Sequence, residues 1–181
     1  MQFPYGLSDF GALIESGYWY QDRTDRLAAL EAAGRQLIFL RPRRFGKSLL
    51  LSMLEHYYDL NRAERFEELF GALAVGQAPT PLRNQYYVLK WDFSLIPAYG
   101  EIGDIEAAVH QHINDRLAAF QYRYASRLPI PIAIHPDNAI SSWESALNAV
   151  SQTPHKLYLL IDEYDNFANE VLMADRPGSQ D

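Results

Sequence analysis

Gly46, Lys47 and Ser48 stand between an apolar run at residues 36–40 and an amphipathic run at residues 49–58. At a strand-to-helix turn these three residue types can hold a phosphate. A turn entering a helix leaves its first N–H groups without intrahelical acceptors, and the helix dipole adds positive potential there. Gly46 lacks a Cβ, so an anion can approach its backbone closely. Lys47 is placed to reach the β- and γ-phosphates of a nucleotide, and the Ser48 hydroxyl to ligate Mg²⁺. The usual pattern is G-x-x-x-x-G-K-S/T, and Arg41 stands where its first glycine would be. Pro42 fixes one φ and removes one donor. The competing explanation is a chance tripeptide in a solvated, arginine-rich turn. The predicted strand before it and helix after it favour the phosphate loop.

A second segment could complete such a site. Residues 157–161 are continuously apolar and run into Asp162, Glu163 and Asp165. A run of this kind suits a strand buried on both faces of a parallel sheet. Its carboxyl end is where open α/β sheets bind ligands. Asp162 is placed to hold Mg²⁺, directly or through water, and Glu163 to orient or deprotonate an attacking water. A plain strand end with solvated acids is the alternative. An acid directly after the metal-binding Asp favours hydrolysis over transfer to a bound acceptor.

Arg41-Pro42-Arg43-Arg44-Phe45-Gly46-Lys47-Ser48, together with Leu160-Ile161-Asp162-Glu163-Tyr164-Asp165, resembles the bacterial and archaeal AAA-ATPase-like family. Tyr5 to Phe10 and Tyr20 to Thr24 look like two further segments of that family, with Gln21 and Arg23 in place of the usual Val and Lys. Arg41 in place of glycine is then the family's own variant. The resemblance implies a P-loop NTPase fold, a three-layer α-β-α arrangement around a parallel sheet ordered 5-1-4-3-2. It implies ATP and Mg²⁺ as cofactors, and ATP hydrolysis. Arg43, Arg44, Phe45, Gly46, Lys47, Ser48 and Leu49 would hold the nucleotide, Ser48 and Asp162 the metal, and Glu163 and Lys47 would be catalytic. Many members also carry a C-terminal nuclease-like domain of the PD-(D/E)XK type, of which nothing is visible here.

The elements that must position these residues follow from pattern. Ser8 is expected to cap a short helix through residue 15, and residues 25–33 form a helix closed by Gly34. Residues 36–40 make the first strand, and the helix after the loop buries Leu50, Met53, Leu54 and Tyr57. Residues 63–70 form another helix and 86–93 a second strand. A long helix over 101–124 carries the stripe Ile105, Val109, Ile113, Leu117, Phe120 and Tyr124. Ser141 and Glu144 fit a capping box. The Asp162 strand, a short helix and a polar tail from residue 175 follow. Tyr18, Trp19 and Tyr20 are either core or an adenine platform. Trp91 reads as core, Asp92 is a further candidate for the site, and the five histidines show no metal spacing.

The 181 residues, 48% hydrophobic and 22% charged, suit one globular domain. A net charge of −7 argues against a surface built for nonspecific nucleic-acid binding, and leaves only a local contact open. The chain has no cysteine, which excludes a disulfide scaffold and a thiolate metal site. No apolar run reaches membrane-spanning length and no leader pattern is seen, so a cytoplasmic location is expected. Residues 1–174 are expected to form the first part of an AAA-ATPase-like domain, with strands one to three present. The fourth and fifth strands, and any nuclease-like domain, would lie in a segment missing from this chain. The readings left open are an ATPase, a nucleotide-dependent binding or regulatory module without turnover, and a nonfunctional truncated remnant.

Overall fold

The computed structural model of the chain describes residues 2–40, 42 and 45–174. It is a mixed α/β protein, mostly helical, with one parallel two-stranded sheet among the described residues. The chain divides into two compact units, Met1–Tyr86 and Tyr87–Asp181.

The first unit is built on aromatic packing. Helix α1 (Phe10–Glu15) is capped by Asp9, whose carboxylate accepts the Ala12 N–H at 2.7 Å. Asp9 therefore replaces Ser8 as the expected cap, because an N-cap oxygen must reach the third residue of the helix. The Phe10 N–H donates to Ser52 Oγ at 2.9 Å and ties α1 to α3 (Lys47–Tyr58). Phe10 stacks on Phe70 at 5.0 Å, and Tyr57 meets Phe70 edge-on at 5.5 Å. Met53, Leu54 and Tyr57 are buried, as their spacing predicts, while Leu50 is half-buried.

The expected helix over 25–33 opens with a 3-10 turn, Thr24–Arg26, before α2 (Leu27–Ala33). The expected 63–70 helix likewise opens as a 3-10 run, Leu60–Arg65, before α4 (Phe66–Phe70). On α2, Glu31 accepts the hydroxyls of Tyr58 and Thr80 at 2.9 and 2.7 Å. Helix α5 (Ala74–Gln77) is fastened by Asp22 and Thr24. Asp22 Oδ2 accepts the Ala74 N–H at 2.7 Å and Thr24 Oγ1 the Val75 N–H at 3.1 Å. Gly76 is required where α5 crosses α4, because a Cβ there would lie 1.9 Å from the Phe70 carbonyl oxygen.

Residues 36–40 are not a strand. Ile38 and Leu40 are 77% and 74% exposed, and Leu37 and Phe39 are exposed as well. An apolar strand needs a neighbouring strand to pair its backbone, and the only ladder among the described residues is β1–β2. The composition of 36–40 suits a strand, but no strand forms there.

Strand β1 (Tyr86–Asp92), in the second unit from Tyr87 onward, pairs with β2 (Lys156–Asp162). Helix α6 (Ile102–Arg123) packs on α7 (Ala139–Ser151), and α7 on β2. The α6 stripe is buried at Leu117, Phe120 and Tyr124, and half-buried at Ile105, Val109 and Ile113. The Tyr124 hydroxyl accepts the Val88 N–H at 3.0 Å and ties the end of α6 to β1. Helix α7 begins before the expected capping box. Asn138 caps it by accepting the Ser141 N–H at 3.0 Å, so Ser141 is a capped residue and not the cap. Helix α8 (Tyr164–Ala174) follows β2 directly.

Candidate functional site

The loop candidates lie in the first unit. Phe45 is 66% exposed, and its N–H donates to the Pro42 carbonyl at 3.4 Å. Gly46 follows in the left-handed region, φ 78° and ψ 23°, and α3 starts at Lys47. A Cβ at Gly46 would meet nothing within 4 Å, so backbone conformation, not space, calls for glycine. Gly46 brings no side-chain cap, and α3 has no acidic residue in its first turn. Helix geometry leaves the N–H groups of Lys47, Ser48 and Leu49 without intrahelical acceptors. Lys47, Ser48 and Leu49 are half-buried. Arg41, Arg43 and Arg44 lie outside the described residues, as does the 175–181 tail.

The acidic candidates lie in the second unit, at the carboxyl ends of β1 and β2. Asp162 is 4% exposed. Its Oδ1 accepts the Glu163 N–H at 3.1 Å, and its Oδ2 faces Lys90 Nζ at 3.9 Å. Glu163 is half-buried and holds φ 57°, a left-handed conformation that a non-glycine residue adopts at a cost of about 1 kcal/mol. That conformation turns β2 into α8 within one residue, and the Phe167 N–H donates back to the Glu163 carbonyl at 3.2 Å. Asp92, at the end of β1, accepts from the Ser94 N–H and hydroxyl at 3.1 and 2.7 Å and caps the 3-10 turn Phe93–Leu95. That turn packs on α8, with Phe93 and Phe167 rings 5.6 Å apart. One rim of the second unit therefore carries Asp92, Asp162 and Glu163, with Asp92 committed to its turn.

Lys90 escaped the reading of the sequence. The signal was a lone lysine inside the apolar run of β1, since lysine is rarely drawn into a strand interior without a partner.

Of the aromatic candidates, Tyr18 and Tyr20 are half-buried and Trp19 is exposed. Trp19 meets Phe3 at 5.7 Å, and Tyr20 meets Phe10 edge-on at 5.4 Å. Burial, then the charge of Asp22, pushes the Tyr20 hydroxyl up to about 12. Trp91 is half-buried against Trp143, with ring centroids 5.2 Å apart. His56 is buried beside Arg62, whose guanidinium lies 3.1 Å from Nδ1. Burial, then Arg62, pushes His56 down to about 4.

No cluster of three or more His, Asp or Glu side chains among the described residues forms a ready metal cage. Mg²⁺ does not need one. It takes hard oxygen donors, commonly one or two carboxylates together with substrate phosphates. A serine hydroxyl and a buried carboxylate are donors of that kind. The carboxylate of Asp162, whose Oδ2 faces Lys90 at ion-pair distance, fits such a role.

Among the described residues no helix is long and apolar enough to cross a membrane. No curated protein and no solved structure significantly resembles the chain. A family model described as Predicted AAA-ATPase matches residues 4–180, a span that takes in the Gly46 turn, α3, both strands and the acidic rim. The chain belongs to the AAA-ATPase-like family.

Proposed function

We propose that this chain binds ATP in a phosphate-binding loop and hydrolyses it with Mg²⁺, using the cycle to change conformation. One observation carries the reading: a left-handed glycine leads directly into a helix whose first turn, starting Lys47-Ser48, holds no acidic residue. The finer fold belongs to the same proposal. The β1–β2 pairing is what a 5-1-4-3-2 sheet requires of its second and third strands, and residues 36–40 have the composition of its first. Residues 1–174 are then part of one P-loop NTPase domain.

The roles follow from chemistry. The N–H groups at the start of α3 would donate to the β-phosphate, and Lys47 would neutralise charge on the β- and γ-phosphates. Arg43, Arg44 and Phe45 would line the same loop, and Leu49 would contribute its backbone N–H. Ser48 and Asp162 would hold the metal, which when bound supplies positive charge to the phosphate oxygens. Glu163 would accept a proton from the attacking water. Its left-handed backbone fixes where its carboxylate leaves the strand end.

Binding of ATP, measured by calorimetry with and without Mg²⁺, should be lost in Lys47→Ala. Glu163→Gln should keep binding and lower phosphate release on the order of a hundredfold or more. A double-mutant cycle checks that the two halves serve one ligand: Ser48→Ala and Asp162→Asn should each remove most of the Mg²⁺ enhancement, and the pair should remove little more. Additive losses would refute a shared metal. The pairing of Lys90 with Asp162 favours a second reading, a nucleotide-responsive module without turnover. Nucleotide binding without phosphate release by the wild-type chain would select it, and phosphate release unaffected by Glu163→Gln would remove that residue from the catalytic role.

A further inference from the structure

Taking Asp162 as a metal ligand, an assignment on which this rests, we infer that Lys90 is a displaceable counter-ion that competes with the divalent cation for Asp162. The two residues lie on adjacent parallel strands, with Nζ 3.9 Å from Oδ2. The Asp162 side chain is 5% exposed and that of Lys90 is 29% exposed. Oδ1 is engaged by the Glu163 N–H, and among the described residues Lys90 is the cation that meets the remaining charge. A carboxylate this buried is costly without a partner. Lys90 supplies the partner while no metal is bound.

A divalent cation held by the Asp162 carboxylate would bring a second positive charge close to the Lys90 ammonium. Two cations that close in a poorly solvated strand end repel strongly. The lysine stem is long and flexible and already reaches solvent, so it can swing outward. Metal binding and the Lys90–Asp162 pair are therefore alternatives, and each weakens the other by the same factor. Lys90 is a positioning residue: it sets how tightly metal is held and keeps the strand end folded between cycles.

ADP, which does not turn over, is titrated calorimetrically into the full chain in Mg²⁺ and in chelator. The ratio of the two affinities is the metal enhancement. Lys90→Met should raise it about fivefold, the equivalent of a partly buried ion pair worth about 1 kcal/mol. Lys156→Met is the control. It removes the same charge at the far end of β2, roughly 20 Å away along the strand. It should leave the ratio unchanged, and Lys90→Arg should match the wild type. In chelator, Lys90→Met should melt earlier than Lys156→Met, and adding Asp162→Asn should restore the loss.

Equal ratios and equal melting for Lys90→Met and Lys156→Met would overturn the inference. So would a fall in metal-free ADP affinity in Lys90→Met alone, which would make Lys90 a phosphate contact. An Asp162→Asn variant that keeps its full metal enhancement would instead refute Asp162 as a ligand. Absence of ADP binding by the wild type would refute the nucleotide site itself.

Discussion

Acidification should loosen the first unit through one residue, His56. The imidazole is 4% exposed, on the inner face of α3. Arg62 approaches Nδ1 at 3.1 Å and Nε2 at 3.5 Å, so a neutral ring can accept from the guanidinium and a protonated one cannot. The groups around it pull in both directions. Burial and Arg62 disfavour the charged ring most, with a smaller push from Arg65, while Asp9 and Glu55 favour it. The balance moves His56 from 6.5 to about 4.

The unfolded chain therefore binds a proton near pH 6.5 that the native state refuses until about pH 4. Stability is full above pH 6.5 and falls as the pH drops toward 4. Withholding one proton across this window costs about 1.4 kcal/mol for every pH unit, which brings the whole loss to about 3 kcal/mol. Urea unfolding can follow it through Trp19, the one tryptophan of the first unit, in a Trp91→Phe/Trp143→Phe background. His56→Gln keeps an acceptor for Arg62 and cannot titrate. The gap between parent and variant should shift against the parent by about 3 kcal/mol from pH 7 to pH 4. A gap that stays flat across that range would show that His56 protonation does not weaken the fold.

Two further changes test the architecture of the first unit. Gly76→Ala forces a methyl against the Phe70 carbonyl, which is backbone and cannot rotate away, and should cost about 2–3 kcal/mol in urea unfolding. Asp22 responds to pH with the ordinary sign of a carboxylate. Burial works to raise it, but hydrogen bonds from the Ala74 and Thr24 N–H groups and the Thr24 hydroxyl prevail and hold it below the usual range. Its stabilisation is present above the unfolded value near pH 4 and disappears as pH falls further. Asp22→Ala should cost about 1–2 kcal/mol at pH 7 and converge with the parent at low pH.

Local signals in the sequence are legible where one segment answers to its own pattern. Gly46 before Lys47 marks the start of α3, the α6 stripe buries its C-terminal half, and an apolar run ending in Asp162 is a strand. Caps are less legible. Ser8 and Ser141 have the right chemistry, but Asp9 and Asn138 stand where an oxygen reaches an orphan N–H. Capping is decided by a distance of a few tenths of an ångström, which neighbouring polar residues satisfy almost equally well on paper.

The amino-acid order by itself determined the family, the two chemical segments and most helix positions, because periodicity, turn residues and short motifs act over a few residues. Tertiary structure alone decided three things. Residues 36–40, with the four apolar residues Leu37 to Leu40, have a strand's composition and yet form no strand. Asp22 and Thr24 acquire their purpose only when α5, some fifty residues later, arrives to be capped. Lys90 meets Asp162 only because two strands over seventy positions apart lie side by side, bringing a lone lysine to a buried carboxylate that no local pattern could have matched with it.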